Sequence, residues 1–416
     1  MISISASKTG YPQMQLRQSI VESPQAISIY FNQIVYDLRR RGEDVTTLSL
    51  GEAFFDIPMF DFSKLDFTKG YHYSDAQGLP ELRTKLATYY QKYYKASVDP
   101  DRELLISAGS KPLIFMAMLS VMEVGSEVLI HEPAWLSYPE QASLAGLTCN
   151  FIPFDCPVEN FHQYFSAETR MVIINNPNNP AGKLYSQDEL KSIYRQCRSR
   201  GIYVMVDEAY SDFVAENEFN SMATIVPNKD GIIVVNSLSK NMGISGWRIG
   251  YIVAAEEVIN AVLKVNQHLI TCAPTLLLQY CTKYFDDIIS ITLPQVADVV
   301  RKRERIAKMI DDLGMSRLPG GNTFYFFLSI EKYAGTSLEF SMSLLLEENI
   351  SVVPGSAYGV STDRFVRISI GTESEERIWE SLIIIKRHIE KQHYEKDLVE
   401  HRLKLIGHEP LERVDT

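Results

Sequence analysis

Short apolar strands alternate with amphipathic helices through the middle of this 416-residue chain, and this alternation constrains the fold more than any other feature. Four apolar segments have the length and composition of buried strands. They are 104–107, 127–131, 171–175 and 202–207. Strands that alternate with helices predict a mainly parallel α/β sheet, and ligands bind such sheets at the carboxyl edge of the strands. Each of the four strands ends in residues with a chemical use, so the sequence predicts a ligand site at that edge.

A fifth apolar run, 232–235, leads into a segment with a single lysine, Lys240, followed by three glycines and Arg248. Burial lowers the pKa of a lysine, and its neutral amine can then form a Schiff base with a carbonyl. Ser237, Ser239 and Arg248 offer hydrogen-bond donors and a fixed positive charge, which suit a phosphate. An amine that can bind an aldehyde, next to groups that can bind a phosphate, predicts a site for pyridoxal 5′-phosphate (PLP). A lone lysine after serine is more often a solvated loop residue, so the other parts of such a site must occur at other strand ends.

Composition excludes several classes of function. The formal net charge of −11 argues against a nucleic-acid or anionic-membrane surface. No apolar run is long enough to span a bilayer, and the first residues do not resemble a secretory signal. The five cysteines are scattered without a paired spacing, which favours free thiols in a reducing compartment over a zinc site. We therefore expect a cytoplasmic protein that binds no metal, membrane or nucleic acid.

The segment 237–250 has the pattern Ser-x-Ser-Lys-x-x-Gly-x-x-Gly-x-Arg-x-Gly, which resembles the class I and II (fold-type I) PLP-dependent aminotransferases, in particular those like aspartate aminotransferase. The resemblance covers roughly residues 24–390. It implies an α/β large domain at 46–290, with a mainly parallel seven-stranded sheet between helices. Residues 1–45 and 291–416 would form a smaller α+β domain. The tail from about residue 393 lies outside the resemblance, and we assign it no function.

The resemblance also implies roles around the cofactor ring. Lys240 would hold PLP covalently, and Asp207 would pair with the protonated pyridine nitrogen so that the ring withdraws electrons. Asn179 and Tyr210 would donate to the 3′-oxygen, and Trp135 would stack on the ring. The stretch around Asn179 departs from the family pattern at Ala181, where threonine is usual.

Phosphate and substrate contacts follow from the same resemblance. A planar guanidinium, that of Arg367, would bind the substrate's α-carboxylate in a two-pronged way. Tyr73 would reach the phosphate of a neighbouring subunit, which implies a homodimer with shared active sites. The implied phosphate ligands within one chain are Gly109, Ser110, Lys111, Ser237, Ser239 and Arg248, and the implied substrate contacts are Gly51, Trp135, Asn179 and Arg367.

The expected reaction moves an amino group from an L-amino acid to a 2-oxo acid by a ping-pong mechanism. Lys111 matches a Gly-x-Lys of relatives that bind acidic substrates, which points to aspartate or glutamate; a solvated helix lysine explains it equally well. Other fold-type I chemistries remain alternatives: a β-lyase, a decarboxylase or an enzyme like 1-aminocyclopropane-1-carboxylate synthase. A PLP-sensing regulator would need a DNA-binding domain, for which the short polar N-terminal segment leaves no room.

Overall fold

A seven-stranded sheet forms the centre of the protein in a computed structural model that describes residues 16–21, 23, 25–215, 218–391 and 394–408. One strand, Gly250–Ala254, runs antiparallel to both of its neighbours, and the other pairs are parallel. This confirms the mainly parallel α/β fold. In spatial order the strands are Leu104–Ser107, Gly250–Ala254, Ile232–Ser237, Tyr203–Asp207, Thr169–Asn175, Glu127–His131 and Thr148–Ile152.

Two smaller sheets lie outside the central one. The strands Tyr325–Ser329, Phe365–Ser369 and Val353–Pro354 form an antiparallel sheet with Phe365–Ser369 in the middle. The short strands Thr46–Thr47 and Ile350–Ser351 pair in parallel. Residues from the start and the end of the chain therefore meet in the same region.

Helices cover both faces of the central sheet and surround the smaller sheets. Among the described residues, no helix has the length and apolar character needed to cross a membrane. The α-helices are Gln18–Val21, Ile27–Arg40, Phe67–Gly70, Pro80–Tyr89, Ser110–Val121, Ser137–Leu144, Gln187–Arg198, Met222–Ile225, Leu238–Asn241, Glu256–Leu269, Thr275–Asp312, Ser337–Glu348, Glu375–Ile389 and Lys396–Leu405. A π-helical turn, Tyr90–Tyr94, extends the helix Pro80–Tyr89. Short 3-10 helices are Phe62–Lys64, Val158–Tyr164, Ser245–Trp247, Gly355–Tyr358 and Val360–Thr362.

The apolar strands are uninterrupted because both faces of the sheet are buried. Successive side chains of a strand point to opposite faces. Accordingly, Ile232 and Val234 pack into one hydrophobic cluster, and Ile233 and Val235 pack into the other. The carboxyl ends of these strands emerge from a rigid, close-packed layer, which holds the loops that follow them in place.

The sequence pattern predicts a long helix from Pro294 to Leu313, and the structure corrects its start. The helical segment Thr275–Asp312 has a kink with non-helical backbone angles at Tyr284, which separates two helices, and Pro294 lies inside the second of them. Ile288 packs into a core of the central sheet, and Ile306 packs into the core around the antiparallel sheet. Burial at both ends keeps this second helix continuous despite the hydrogen bond that proline cannot make.

A second correction concerns the start of the helix Glu375–Ile389. The sequence pattern predicts a capping box that begins at Thr372. Instead, Ser374 is the N-cap and accepts a hydrogen bond from the backbone N–H of Arg377, while the buried Thr372 hydroxyl has no partner among the described residues. Residues 1–22 are polar and without a pattern, so the sequence predicts an arm there. This segment and the tail from 393 lie partly outside the described residues; of the described part of the tail, Lys396–Leu405 is helical.

Candidate active site

The ends of three adjacent parallel strands bring the first site residues together. Their register pairs Asn175 with Asp207, and Asp207 with Val235. The Asp207 carboxylate is 7% exposed and accepts hydrogen bonds from the Tyr138 hydroxyl at 2.7 Å and the Ala209 backbone N–H at 3.0 Å. Burial raises the pKa of Asp207, while these two hydrogen bonds and the nearby Lys240 ammonium lower it.

Asn175 orients the loop that carries Asn179. Its amide donates to the Asp207 carbonyl at 2.7 Å, and its oxygen accepts from the Asn179 backbone N–H at 2.5 Å. Asn175 thereby bonds both to Asp207 and to the backbone of the buried Asn179.

Lys240 lies on the one-turn helix Leu238–Asn241, and its Nζ donates to the carbonyl of Gly51 at 2.6 Å. The pKa of Lys240 is lowered to about 8, mainly by burial and also by the positive charges of Arg367 and Arg248, against the raising effects of Glu52 and Asp207. An amine with this pKa is partly neutral near pH 7 and can act as a nucleophile or a base.

Tyrosine rings form the wall beside this amine. Nζ of Lys240 lies 5.5 Å from the ring centre of Tyr210, whose hydroxyl is 2.9 Å from that of Tyr325. A Cβ at Gly51 would lie 3.1 Å from the Tyr325 hydroxyl, so this position leaves little room for a side chain. Gly51 and Tyr210 therefore both lie next to the Lys240 amine.

Arg367 is a buried cation, 4% exposed, that forms no ion pair with any residue the structure describes. Its Nη2 donates to the Ser49 carbonyl at 2.6 Å and its Nη1 to the Asn179 side-chain oxygen at 3.3 Å, whereas its Nε has no partner. The guanidinium carbon lies 4.4 Å from the ring centre of Tyr325. A buried guanidinium with unused donors is suited to binding a carboxylate.

A second group of donors surrounds the start of the helix Ser110–Val121. Its N-cap, Gly109, has φ of +99°, and no side chain caps the helix, so its first backbone N–H groups can bind an anion. A Cβ at Gly109 would lie 2.7 Å from Nη2 of Arg248, which shows that the guanidinium packs against this turn. Burial and the charge of Arg248 both lower the pKa of Lys111. Two cations beside a helix N-terminus form a site for a phosphate-sized anion.

Trp135 lies between these two groups. Its ring meets that of Tyr138 edge-on at 5.2 Å, and Nζ of Lys111 lies 5.0 Å from its ring centre. Since Tyr138 donates to Asp207, Trp135 lies beside both the buried carboxylate and the anion site.

Three predicted residues have contacts of a different kind within this chain. Ser237 is the N-cap of the helix Leu238–Asn241, and its oxygen accepts from the Ser239 backbone N–H at 3.1 Å. The two serine hydroxyls lie 2.8 Å apart. Tyr73 is 85% exposed, and its contact with the phosphate of a neighbouring subunit stays a prediction.

Sequence reasoning missed Tyr138, Tyr325 and Ser49. Tyr138 and Tyr325 are two of 22 tyrosines, and no local pattern marks either as a partner of Asp207 or Arg367. Ser49 acts through its backbone carbonyl, which any residue has. The one local signal is the position of Tyr138 three residues after Trp135, in the turn that leads into the helix Ser137–Leu144.

Comparison with known proteins identifies the class. The family model described as aminotransferase class I and II matches residues 47–379, which is most of the chain. The chain therefore belongs to the class I and II aminotransferases, a family that generally depends on PLP. It is an enzyme that transfers an amino group between an amino acid and a 2-oxo acid.

Individual relatives agree with this assignment. The chain is 30% identical to an aspartate aminotransferase of Thermotoga maritima over 354 residues, which cover 83% of this chain and 91% of that one. A crystal structure of aspartate aminotransferase from the same organism superposes with a TM-score of 0.79 at 28% identity, over 90% of this chain and all of the other. An aromatic aminotransferase from Pyrococcus horikoshii gives 0.78 at 28% identity, over 88% of this chain and all of the other. The lyase, decarboxylase and synthase alternatives are not favoured by these relatives.

The lowered pKa of Lys240 predicts unusual amine reactivity in cofactor-free protein. Acylation of Lys240 by a small amine-selective reagent, followed by peptide mass spectrometry, should rise with pH around a midpoint of about 8. The same protein unfolded in urea is the control, and its midpoint should lie near ~10.4 because water then solvates the ammonium. Equal midpoints in the folded and unfolded protein would contradict the burial argument.

Proposed function

We propose that this site binds PLP and uses Lys240 as its covalent attachment point. The observation that carries the proposal is an amine with a pKa of about 8 whose charge interacts with the buried carboxylate of Asp207 and the buried guanidinium of Arg367. A cofactor with an aldehyde, a basic ring nitrogen and a phosphate needs these groups in one cavity.

The residues present fit PLP. Asp207 is the partner for the pyridine nitrogen, and Asn179 and Tyr210 are donors for the 3′-oxygen. The turn at Gly109 and Ser110, with the Lys111 backbone, Ser239 and Arg248, holds the phosphate; Ser237 shapes that loop by capping its helix. Trp135 covers one face of the ring. PLP, when bound, supplies an aldehyde and a cationic ring that accepts electron density from the substrate's α-carbon.

Lys240 and Arg367 would act on different parts of the substrate. Arg367 binds the α-carboxylate through the donors that it leaves unused in this chain, beside Asn179, and the absence of a side chain at Gly51 leaves room for the substrate. The amine of Lys240, a fraction of which is neutral at pH 7, would take the proton from the substrate's α-carbon and deliver it to the carbon that was the cofactor's aldehyde. Asp207 would stay ionised beside the protonated ring nitrogen, because the hydrogen bonds that it accepts from Tyr138 and Ala209 favour the carboxylate form.

Replacement of the lysine tests the cofactor assignment. Lys240→Ala protein should lose the near-visible absorbance of the PLP Schiff base and all measurable turnover, because no amine remains to bind the aldehyde. Lys264→Ala, which changes an exposed lysine, is the matched control and should keep both. Full activity of Lys240→Ala would refute the assignment.

The two arginines of one strand region provide a test of carboxylate binding. Arg367→Met should lower kcat/KM for the amino donor by ~10²–10³-fold, as expected when one partner of a buried charge pair is lost. Arg364→Met is the control, since Arg364 is exposed and bonds only to the carbonyls of Tyr333 and Gly335 among the described residues. Steady-state kinetics measure both, and equal effects of the two changes would exclude the role of Arg367.

An acidic amino donor, aspartate or glutamate, is the substrate that the chain's own residues favour. Lys111 is a partly desolvated cation beside Trp135, where the side chain of a bound substrate can extend. The relatives carry both aspartate and aromatic names, so they leave this choice to the site residues.

A panel of the twenty amino acids tests this choice. The absorbance of the PLP-loaded protein should bleach with aspartate or glutamate, and Lys111→Met should slow that reaction about tenfold or more while leaving alanine unchanged. If neither aspartate nor glutamate bleaches the absorbance, the proposal of an acidic amino donor is wrong.

We further propose that the enzyme is a homodimer. Aromatic and apolar side chains are exposed together on the segment 54–73: Phe54 is 65% exposed, Met59 89%, Tyr71 79% and Tyr73 85%. Exposed apolar residues concentrated in one segment are typical of an interface. In a symmetric dimer this segment would place Tyr73 at the partner's phosphate site.

We also propose the division into a large domain, 46–290, and a smaller one formed by 1–45 and 291–416. The helix Thr275–Asp312 would connect them, because its two ends pack into different hydrophobic clusters. A cytoplasmic location is supported by the five cysteines, all of them free thiols.

A further inference from the structure

Asp212 collects hydrogen bonds from two separate segments of the chain. Its Oδ1 accepts from the hydroxyls of Tyr89 at 2.8 Å and Tyr94 at 2.9 Å, and its Oδ2 accepts from the amide of Asn241 at 2.8 Å. Asp212 lies in the loop that follows Asp207, and Asn241 directly follows Lys240. A single carboxylate thus joins the segment of the ring-binding acid to the segment of the reactive amine.

The donors around Asp212 have one consistent orientation. Burial raises the pKa of both Tyr89 and Tyr94 well above the usual value, so both hydroxyls stay protonated and donate. Tyr94 gives its only proton to Asp212, so the Ser211 hydroxyl, 2.7 Å away, donates to Tyr94. Ser211 in turn accepts from the Asn236 amide at 3.1 Å. Every proton in this network points towards the Asp212 carboxylate.

The network holds the chain on both sides of the lysine. Asn236 is the second-last residue of the strand Ile232–Ser237, and its side-chain oxygen accepts from the Ser237 backbone N–H at 2.7 Å. Asn241 is fixed from the other side by Asp212. Lys240 therefore projects from a short segment whose two ends are bonded to the same set of side chains.

We propose that Asp212 is a positioning residue for amino transfer, which sets the place of the Lys240 amine relative to Asp207. The inference rests on the proposed role of Lys240 as the cofactor-binding amine. Asp212 itself touches neither Lys240 nor Asp207 through any hydrogen bond of the described chain. Its effect passes through Asn241, and a misplacement of ~1 Å in a catalytic group can cost ~10²-fold in rate.

Exchange of the two bonded side chains tests this role. Asn241→Asp turns a carboxylate towards that of Asp212, and Asp212→Leu, which is close to aspartate in shape, removes both acceptor oxygens. Each of these single changes breaks the pair, whereas Asp212→Asn alone would not, because the Asn241 amide can flip and accept from the new amide. The double variant D212N/N241D restores one donor and one acceptor, and the new amide oxygen at position 212 still accepts from Tyr89 and Tyr94.

Two readouts separate positioning from stability. Each single variant should lower kcat by about 10–100-fold with KM for the amino donor unchanged, because Arg367 is not affected. Each should also raise the dissociation constant of PLP, measured by absorbance titration of cofactor-free protein. The double variant should recover most of both losses. Wild-type kcat and PLP affinity in the single variants, or no recovery in a folded double variant, would overturn the proposal.

Glu127→Gln is the matched control for loss of a bonded carboxylate. Glu127 accepts from Asn150 at 2.5 Å, from Ser166 at 2.9 Å and from Thr169, at the amino end of its strand and away from the site. This variant should lower the unfolding temperature and leave kcat and PLP affinity unchanged. A fall in both as large as in Asp212→Leu would show that the Asp212 effect is merely structural.

Two further comparisons keep the outcome decisive. If a single variant fails to fold, Asn241→Ala removes the side chain that Asp212 holds and adds no charge. A lower kcat with unchanged KM then supports the proposal, and a wild-type kcat overturns it. If the wild-type protein shows no absorbance of a PLP Schiff base, the proposed function itself is wrong. Wild-type and Lys240→Ala proteins would then have the same spectrum.

Discussion

The register of three parallel strands is the constraint on which the rest of the site depends. Asn175, Asp207 and Val235 are paired neighbours in the sheet, so the loops after them begin about one strand spacing apart, ~4.8 Å. A shift by one residue would turn every side chain of a strand to the opposite face. The alternating burial of Ile232–Val235 on the two faces prevents such a shift, and hydrophobic packing thereby determines where Asp207 and Lys240 can meet.

The site is a set of charges that the protein does not fully neutralise by itself. Burial lowers the pKa of Lys240 and raises that of Asp207, and Arg367 has no acidic partner among the described residues. Such groups cost stability unless a ligand completes them. Well-satisfied carboxylates elsewhere, such as Glu127 with its three donors, show that the chain pairs buried charge where no ligand is needed. The unpaired donors therefore mark the positions that a cofactor and a substrate would occupy.

Local patterns predicted the elements well and the long-range partners poorly. The strands Leu104–Ser107 and Glu127–His131 have the predicted bounds, because apolar runs bounded by polar residues are visible in the sequence. The start of the helix through Pro294 was predicted wrongly, because the burial that keeps it continuous comes from two cores distant in sequence. Tyr138 and Tyr325 could not be singled out, since a tyrosine that packs and a tyrosine that donates to Asp207 look alike without coordinates.

The sequence by itself determined the class of fold, the family and the residue types at the strand ends, because these follow from periodicity and from one motif around Lys240. Only the tertiary structure decided how those residues are tuned. It placed the amine on the Gly51 carbonyl, the Tyr138 hydroxyl on Asp207 and the Asp212 carboxylate between the two loops. A pKa and a hydrogen bond depend on the distance between atoms and on their burial, and residues 189 positions apart along the chain acquire such a distance only when the chain is folded.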